Sequence, residues 1–175
     1  VKHAKRWLDE GLMGTPLWAS FVVAQHNSKY TDPVILNWGA HDIDLALYLL
    51  GSATVTSCVG NDRMVDVGVL HEGGVPVSIH MDYITHPECR EFKIVGSVGQ
   101  IHVDLVSGEA IFYDKDGDAL INEIANGDFD QSYKDEMQAF IDLIDGKPVP
   151  HAATGEDGLR TLQTILEAQK VMVAI

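Results

Sequence analysis

The sequence predicts an α+β fold, a largely antiparallel open β-sheet with helices packed on one face. Three observations carry this. The middle of the chain alternates apolar Val75, Val77, Ile79, Met81 and Tyr83 with Pro76, Ser78, His80 and Asp82, the period of two of a half-buried strand. Turn signals as short as Gly73-Gly74, Ser97-Val98-Gly99, Ser107-Gly108 and Asp116-Gly117 separate this segment and its neighbours, and such loops favour antiparallel pairing. Helical patterns precede and follow the strands, the order expected of helices segregated to one side of a sheet.

Residues 1–10 form a short helix pattern, ended by Gly11 and by Gly14-Thr15-Pro16. Residues 17–25 are apolar and carry the β-formers Trp18, Phe21, Val22 and Val23, which predicts a buried strand. A polar loop, 26–33, leads to a helix over 34–50 that Gly51 stops. Strands are expected at 54–60, 64–71, 75–83, 89–95, 100–105 and 109–113. Ser132 and Asp135 have capping-box spacing and open a helix with the apolar stripe Met137, Phe140, Ile141 and Ile144, closed by Gly146 and Pro148. Thr154 and Asp157 repeat the cap, followed by a second stripe of Leu159, Leu162, Leu166 and Val173. The sheet's second face is left to meet water or a partner, so self-association through it is expected.

The formal net charge of −14 would repel a phosphate backbone, which excludes nucleic acid as a partner. No apolar run approaches the ~20 residues of a membrane span. Lys2, Lys5 and Arg6 run into Asp9, Glu10 and Gly11 instead of a secretory apolar stretch. Cys58 and Cys89 form neither a CxxC motif nor a disulfide framework and read as reduced thiols of a cytoplasmic protein. The chain opens on Val1 within one helical pattern and closes on Ile175 within another. Residues 1–175 are therefore expected to be one domain and a fragment of something longer.

Chemistry concentrates on the helix over 34–50. Asn37, His41, Asp44 and Tyr48 fall within about 60° of one another at ~100° per residue. Leu36, Ala40, Ile43, Leu47 and Leu50 cover the opposite side, with Leu45 and Leu49 on a flank. A solvated helix face would show such a stripe too, but it would be rich in Lys, Glu, Arg and Gln, and residues 37–50 contain none. Short hydrogen-bonding side chains around a histidine, the residue suited to proton transfer near neutral pH, fit the wall of a cleft. His41 and Asp44 also have metal-compatible spacing, but two ligands with no third nearby do not make a centre, so no metal is expected. His80 and His102 sit on strands, where a hydrogen-bonded structural role is expected.

The run Asn37-Trp38-Gly39-Ala40-His41-Asp42-Ile43-Asp44-Leu45, continuing to Leu49-Leu50-Gly51, resembles the (D/N)-x-G-x-H-x-I-D-L…L-x-G signature of the glucose-fructose oxidoreductase, inositol dehydrogenase and rhizopine-catabolism family. The stretch from Asp9 to Pro16 resembles that family's passage from helix to strand. The stretch from Arg90 to Ile101, through Gly96-Ser97-Val98-Gly99, resembles its R-x-x-x-I-x-G-x-x-G-x-I hairpin, and Tyr133 to Pro150 with Gly155-Glu156-Asp157-Gly158 its closing helix pair. The resemblance implies the C-terminal, dihydrodipicolinate-reductase-like domain of a two-domain enzyme. An N-terminal Rossmann domain would mainly hold NAD or NADP and carry a lysine. The domain in hand would supply substrate contacts, a catalytic histidine and the surface of a homodimer or homotetramer. That histidine is His41, with Asn37, Asp44 and Tyr48 as substrate-side residues. The implied substrate is a sugar, sugar nucleotide or cyclitol. Asn37 replaces the acid of inositol-dehydrogenase-like members, which counts against inositol, and Tyr30-Thr31-Asp32-Pro33 is shorter than the usual glycine-rich lead-in.

No GxGxxG run follows a strand, so no Rossmann unit is expected within this chain, which alone should bind nicotinamide nucleotides poorly and catalyse nothing. The competing reading is a non-catalytic module that binds a small molecule or mediates assembly.

Overall fold

The computed structural model describes residues 1–124, 129–149 and 152–175. Helix α1 (Lys2–Asp9) leads into strand β1 (Pro16–Ala24), and helices α2 (Val34–Asn37) and α3 (Gly39–Leu50) follow. Then come β2 (Ala53–Asn61), β3 (Met64–His71), β4 (Val75–Asp82), β5 (Cys89–Gly96), β6 (Gly99–Asp104), β7 (Glu109–Asp114) and β8 (Ala119–Ile124). Helices α4 (Phe129–Ile144) and α5 (Gly155–Val171) and strand β9 (Met172–Ala174) complete the order. No helix among the described residues is long and apolar enough to cross a membrane.

The strands join one sheet in the order β8-β7-β6-β5-β1-β4-β3-β2-β9. Its neighbours are antiparallel except at β1·β4 and β2·β9. The fold is thus α+β with a largely antiparallel sheet, as expected. The parallel β1·β4 pair arises because the chain leaves β1 through α2, α3 and the β2–β3 hairpin before returning beside it, the long crossover that parallel pairing needs. Strands β8 and β9 are additions to the strands expected.

Register puts the apolar halves of the central strands on one face. Phe21 lies opposite Ile79 of β4 and Phe92 of β5, and the rings of Phe21 and Phe92 stack at 5.3 Å. Ala19, Val23, Val67, Val77, Met81, Ile94, Ile101 and Val103 continue this buried layer. The segment expected as a wholly buried strand is buried only in part: Leu17 and Trp18 are exposed, and burial begins at Ala19. The other sheet face presents Ser20, Ser78, Gly68, His80, Lys93 and His102 at paired positions, so it is more polar than apolar. On that face His80 Nδ1 lies 2.8 Å from Asp66 and Nε2 2.9 Å from Asp82, while His102 Nε2 lies 3.1 Å from Glu91.

Several sequence expectations need correction. The helix over 34–50 is two helices that meet at Trp38, where the His41 and Asp42 amides both donate to the Trp38 carbonyl. Gly39 at this joint is buried, and a Cβ there would make ordinary contact with Ile165 of α5 at 3.5 Å, so α5 packs directly over the joint. Leu36 and Ala40 are exposed rather than core-facing, and the charged Asp42 is buried instead. Helix α4 starts at Phe129, so Ser132 lies inside it and does not cap it, and Asp135 accepts from Gln131 and Lys2. The stripe Met137, Phe140, Ile141 and Ile144 is exposed.

The Thr154–Asp157 capping box of α5 is present in both directions. However, α5 meets α3 and β2 through Thr161, Thr164, Ile165 and Ala168, while Leu159, Leu162 and Leu166 stay exposed. Val173 belongs to β9 and is exposed.

Candidate active site

A cleft of about 790 Å³ opens between α3, the start of α1, the start of β5 and the start of α5. Its volume lies in the range of small-molecule sites, roughly 300–1,000 Å³. Helix α3 supplies one wall through Ala40, His41, Asp44, Leu45, Leu47 and Tyr48; Arg90, Leu105, Asp157 and Arg160 face it. Three of the four residues singled out from the sequence thus share a wall, since positions 41, 44 and 48 recur on one side of a helix.

Asn37 is not among the lining residues. It sits in α2 before the joint at Trp38, and its side-chain amide donates to the Tyr83 hydroxyl at 2.9 Å. Tyr83 is fully buried at the end of β4, so this bond ties the α2 turn to the sheet. Burial holds the Tyr83 phenol above its ordinary pKa, and the bond from Asn37 offsets part of that rise.

Asp44 faces the cleft but also accepts a hydrogen bond from the Thr161 hydroxyl of α5 at 2.8 Å, which locks the two helices. The His41 ring packs 6.2 Å from the Trp38 ring. Tyr48 is exposed at the far end of the wall, with Lys5 Nζ 5.9 Å from its ring centroid.

Sequence reasoning missed Asp42 and Arg90 as a pair. Asp42 is 1% exposed, and Arg90 Nη2 lies 3.3 Å from its Oδ2. The Arg90 guanidinium also lies over the Trp38 ring at 5.7 Å. Burial raises the Asp42 carboxyl above the usual carboxylate range, and the charges of Arg90 and His41 pull it back only in part. Among the described residues Asp42 Oδ1, Arg90 Nε and Trp38 Nε1 are buried without a hydrogen-bond partner. The signal available in sequence was slight: an acid beside His41 and an arginine opening a strand.

The glycine turns at Gly73-Gly74 and at Gly96 to Gly99 close hairpins, and the N-terminus of α5 is capped by the Thr154 hydroxyl, which accepts from the Asp157 amide. Neither supplies the glycine turn feeding a free helix N-terminus that holds a dinucleotide pyrophosphate. No group of three or more possible metal ligands occurs among the described residues.

Comparison with known proteins agrees with this architecture. A 3-ketoreductase from Actinomadura kijaniata, in an open conformation with TDP-benzene and NADP, superimposes with a TM-score of 0.79 at 16% identity, over 99% of this chain and 58% of its own. The UDP-N-acetylglucosamine 3-dehydrogenase of Acidithiobacillus ferrooxidans gives a TM-score of 0.81 at 19% identity, over 97% of this chain and 57% of its own. An oxidoreductase from Agrobacterium radiobacter, in complex with NAD+, L-tartaric acid and magnesium, gives 0.77 at 18% identity, over 97% and 58%. The chain thus spans a little under three fifths of these proteins. No curated protein matches it by sequence. Residues 1–102 match the family description "GFO/IDH/MocA C-terminal domain", more than half of the chain, and the chain belongs to that family.

Proposed function

We propose that this chain is the substrate-side domain of an NAD(P)-dependent oxidoreductase acting on a hydroxyl of a sugar, sugar nucleotide or cyclitol. The observation that carries the reading is the grouping of His41, Asp44 and Tyr48 along one wall of the cleft. The similar structures support it: one is a sugar-nucleotide dehydrogenase and another holds a TDP derivative with NADP. NAD or NADP would supply the hydride acceptor and would be held mainly by an N-terminal domain, because the described residues of this chain do not fit its pyrophosphate.

Oxidation of a secondary alcohol removes the hydroxyl proton as well as a hydride. His41 takes that proton onto a ring nitrogen, and gives one back to the carbonyl oxygen in the reverse direction. Asp44, steadied by Thr161, and Tyr48 accept from or donate to neighbouring substrate hydroxyls. Asn37 acts from behind, by holding the α2–α3 joint through Tyr83. The protein works in the cytoplasm as a homodimer or homotetramer joined through the open sheet face, and has no nucleic-acid or membrane partner.

The test is turnover of a panel of sugars, nucleotide sugars and cyclitols with NAD+ or NADP+, using an enzyme that carries this domain together with its nucleotide-binding half. His41→Ala should lower kcat by roughly 10²–10⁴-fold, the usual worth of general acid–base catalysis, with cofactor affinity unchanged. Turnover surviving within a few fold at every pH removes His41 from the proton-transfer role. Absence of nicotinamide-linked turnover across the panel refutes the reading as a whole.

A further inference from the structure

We propose that Arg90 is the oxyanion receptor of the cleft and that its ligand is an acidic sugar, one bearing a phosphoryl or carboxylate group. The proposal rests on the substrate site described above and names the substrate class it takes.

Strand pairing fixes the base of Arg90. It lies opposite Val23 of β1, and its carbonyl accepts from the Leu105 amide at 2.7 Å. The side chain, of a type that loses much rotamer freedom when ordered, is held on two sides. The Trp38 ring lies 5.7 Å from Cζ, and Asp42 Oδ2 lies 3.3 Å from Nη2. Asp42 is 1% exposed and its other oxygen has no partner among the described residues. A half-satisfied buried carboxylate is a poor source of stability. Its effect here is geometric: it holds one edge of the guanidinium in place. The contact uses one hydrogen of Nη2 and Nε is buried, so the donors left for the cleft are those of the two Nη groups. The side chain remains 31% exposed and lines the cleft with His41. A guanidinium ordered in this way matches the planar, paired oxygens of a carboxylate or phosphoryl group.

The surrounding charge points the same way. The chain carries −14 overall, yet Lys2, Arg90 and Arg160 all line this cleft. Of the acids lining it, the Asp157 carboxylate accepts from the Thr154 amide and hydroxyl and from Arg160, and Asp44 accepts from the Thr161 hydroxyl. Each of these cations already has one carboxylate partner, Asp135 for Lys2, Asp42 for Arg90 and Asp157 for Arg160, so an anion meets only the donors that these single contacts leave over.

Equilibrium titration of this chain with glucose 1-phosphate, glucuronate, UDP-glucose and uncharged glucose tests the proposal. The indole N–H of Trp38 and the Nε–H of Arg90 are followed by NMR. We expect the three anions to bind at least tenfold more tightly than glucose and to move both resonances. Glucose 1-phosphate against glucuronate separates a phosphoryl from a carboxylate ligand. Arg90→Lys leaves Asp42 a charged partner and should weaken the anions about 10–100-fold, the worth of a charge-assisted hydrogen bond, with glucose unaffected. Should that variant fail to fold, the wild-type Arg90 resonance and Arg160→Ala, which leaves Asp42 paired, decide the matter. Equal affinity for glucose, anion binding that leaves the Arg90 resonance unmoved, an undiminished preference in Arg90→Lys, or no binding by any probe each overturns the proposal. The measurement reads binding and no hydride transfer, so it can fail while the oxidoreductase reading stands, and the turnover panel can fail while it succeeds.

Discussion

Removing Arg90 altogether should expose how far the fold depends on one ion pair. In Arg90→Ala the Asp42 carboxylate, 1% exposed in the intact chain, loses the opposite charge that lies 3.3 Å away. Breaking a buried pair from one side costs about 3–5 kcal/mol. Two features put this pair below that range: the contact is single, and the 31% exposed Arg90 side chain is already partly screened by solvent. We expect a loss of about 2–3 kcal/mol at pH 7. The loss should depend on pH with a definite sign. Burial already raises the Asp42 pKa from 3.8, and Arg90 is the largest influence opposing that rise, so its removal raises the pKa further. A carboxyl whose folded pKa exceeds its unfolded value contributes stability that is fully present below the unfolded pKa. That stability is lost as pH rises through the folded one. The deficit of Arg90→Ala is therefore smallest in acid and grows toward neutrality. Urea unfolding followed by circular dichroism at pH 4.5 and pH 7 measures both values. A deficit under about 1 kcal/mol at pH 7, or one equal at the two pH values, refutes the reasoning. Asp42→Asn combined with Arg90→Met should recover most of the loss, because no charge is left buried.

Other consequences follow from particular contacts. A Cβ on Gly96 would run into the Met13 carbonyl oxygen, where the Ser97 and Val98 amides bind the Thr15 and Met13 carbonyls; Gly96→Ala should cost about 1–3 kcal/mol, seen as a lower Tm. His71 is buried with Nδ1 2.8 Å from the Gly51 carbonyl, and burial lowers its pKa from 6.5 despite that bond. Its contribution is full above pH 6.5 and lost as pH falls toward the depressed value, so His71→Gln should flatten the drop in urea midpoint between pH 7.5 and 5.5; an unchanged slope counts against it. His80 acts in the opposite sense. Burial lowers its pKa but the bonds and charges of Asp66 and Asp82 outweigh this, so its contribution is lost as pH rises, and His80→Gln should steepen the acid drop. Ser78 faces Ser20 and Gly68 in the middle of the open sheet face; if copies join there, Ser78→Arg yields monomers in light scattering, and an unaltered oligomer places the interface elsewhere.

What could be read from the sequence, and what could not, divides along a physical line. The central strands were legible because they bury one face, so Val75, Val77, Ile79 and Met81 had to alternate with polar residues. The cleft wall was legible for the same reason, since residues 41, 44 and 48 sit on one helix and their spacing alone brings them together. Asn37 shares that spacing but not that helix; the joint at Trp38 diverts its amide to Tyr83. In α5 the largest apolar residues were the wrong guide. The helix packs on α3 and β2 through Thr161, Thr164, Ile165 and Ala168, with Ile165 over Gly39 and Thr161 bonded to Asp44. The partners it meets, and not its largest apolar residues, set the inward face, and the leucines are left outside. The short strands β8 and β9 escaped because β8 has no clear alternation and β9 runs straight out of a helical stripe. Asp42 is the sharpest case. A hydropathy pattern assigns each charge to water unless a partner lies nearby on the same element, and the partner of Asp42 is 48 residues away at the start of β5. The sheet order that carries β5 beside β1, and so brings Arg90 beneath α3, is a tertiary fact with no local signature. A residue of this kind is found only by asking of each buried charge what its partner, once held in place, is left free to bind.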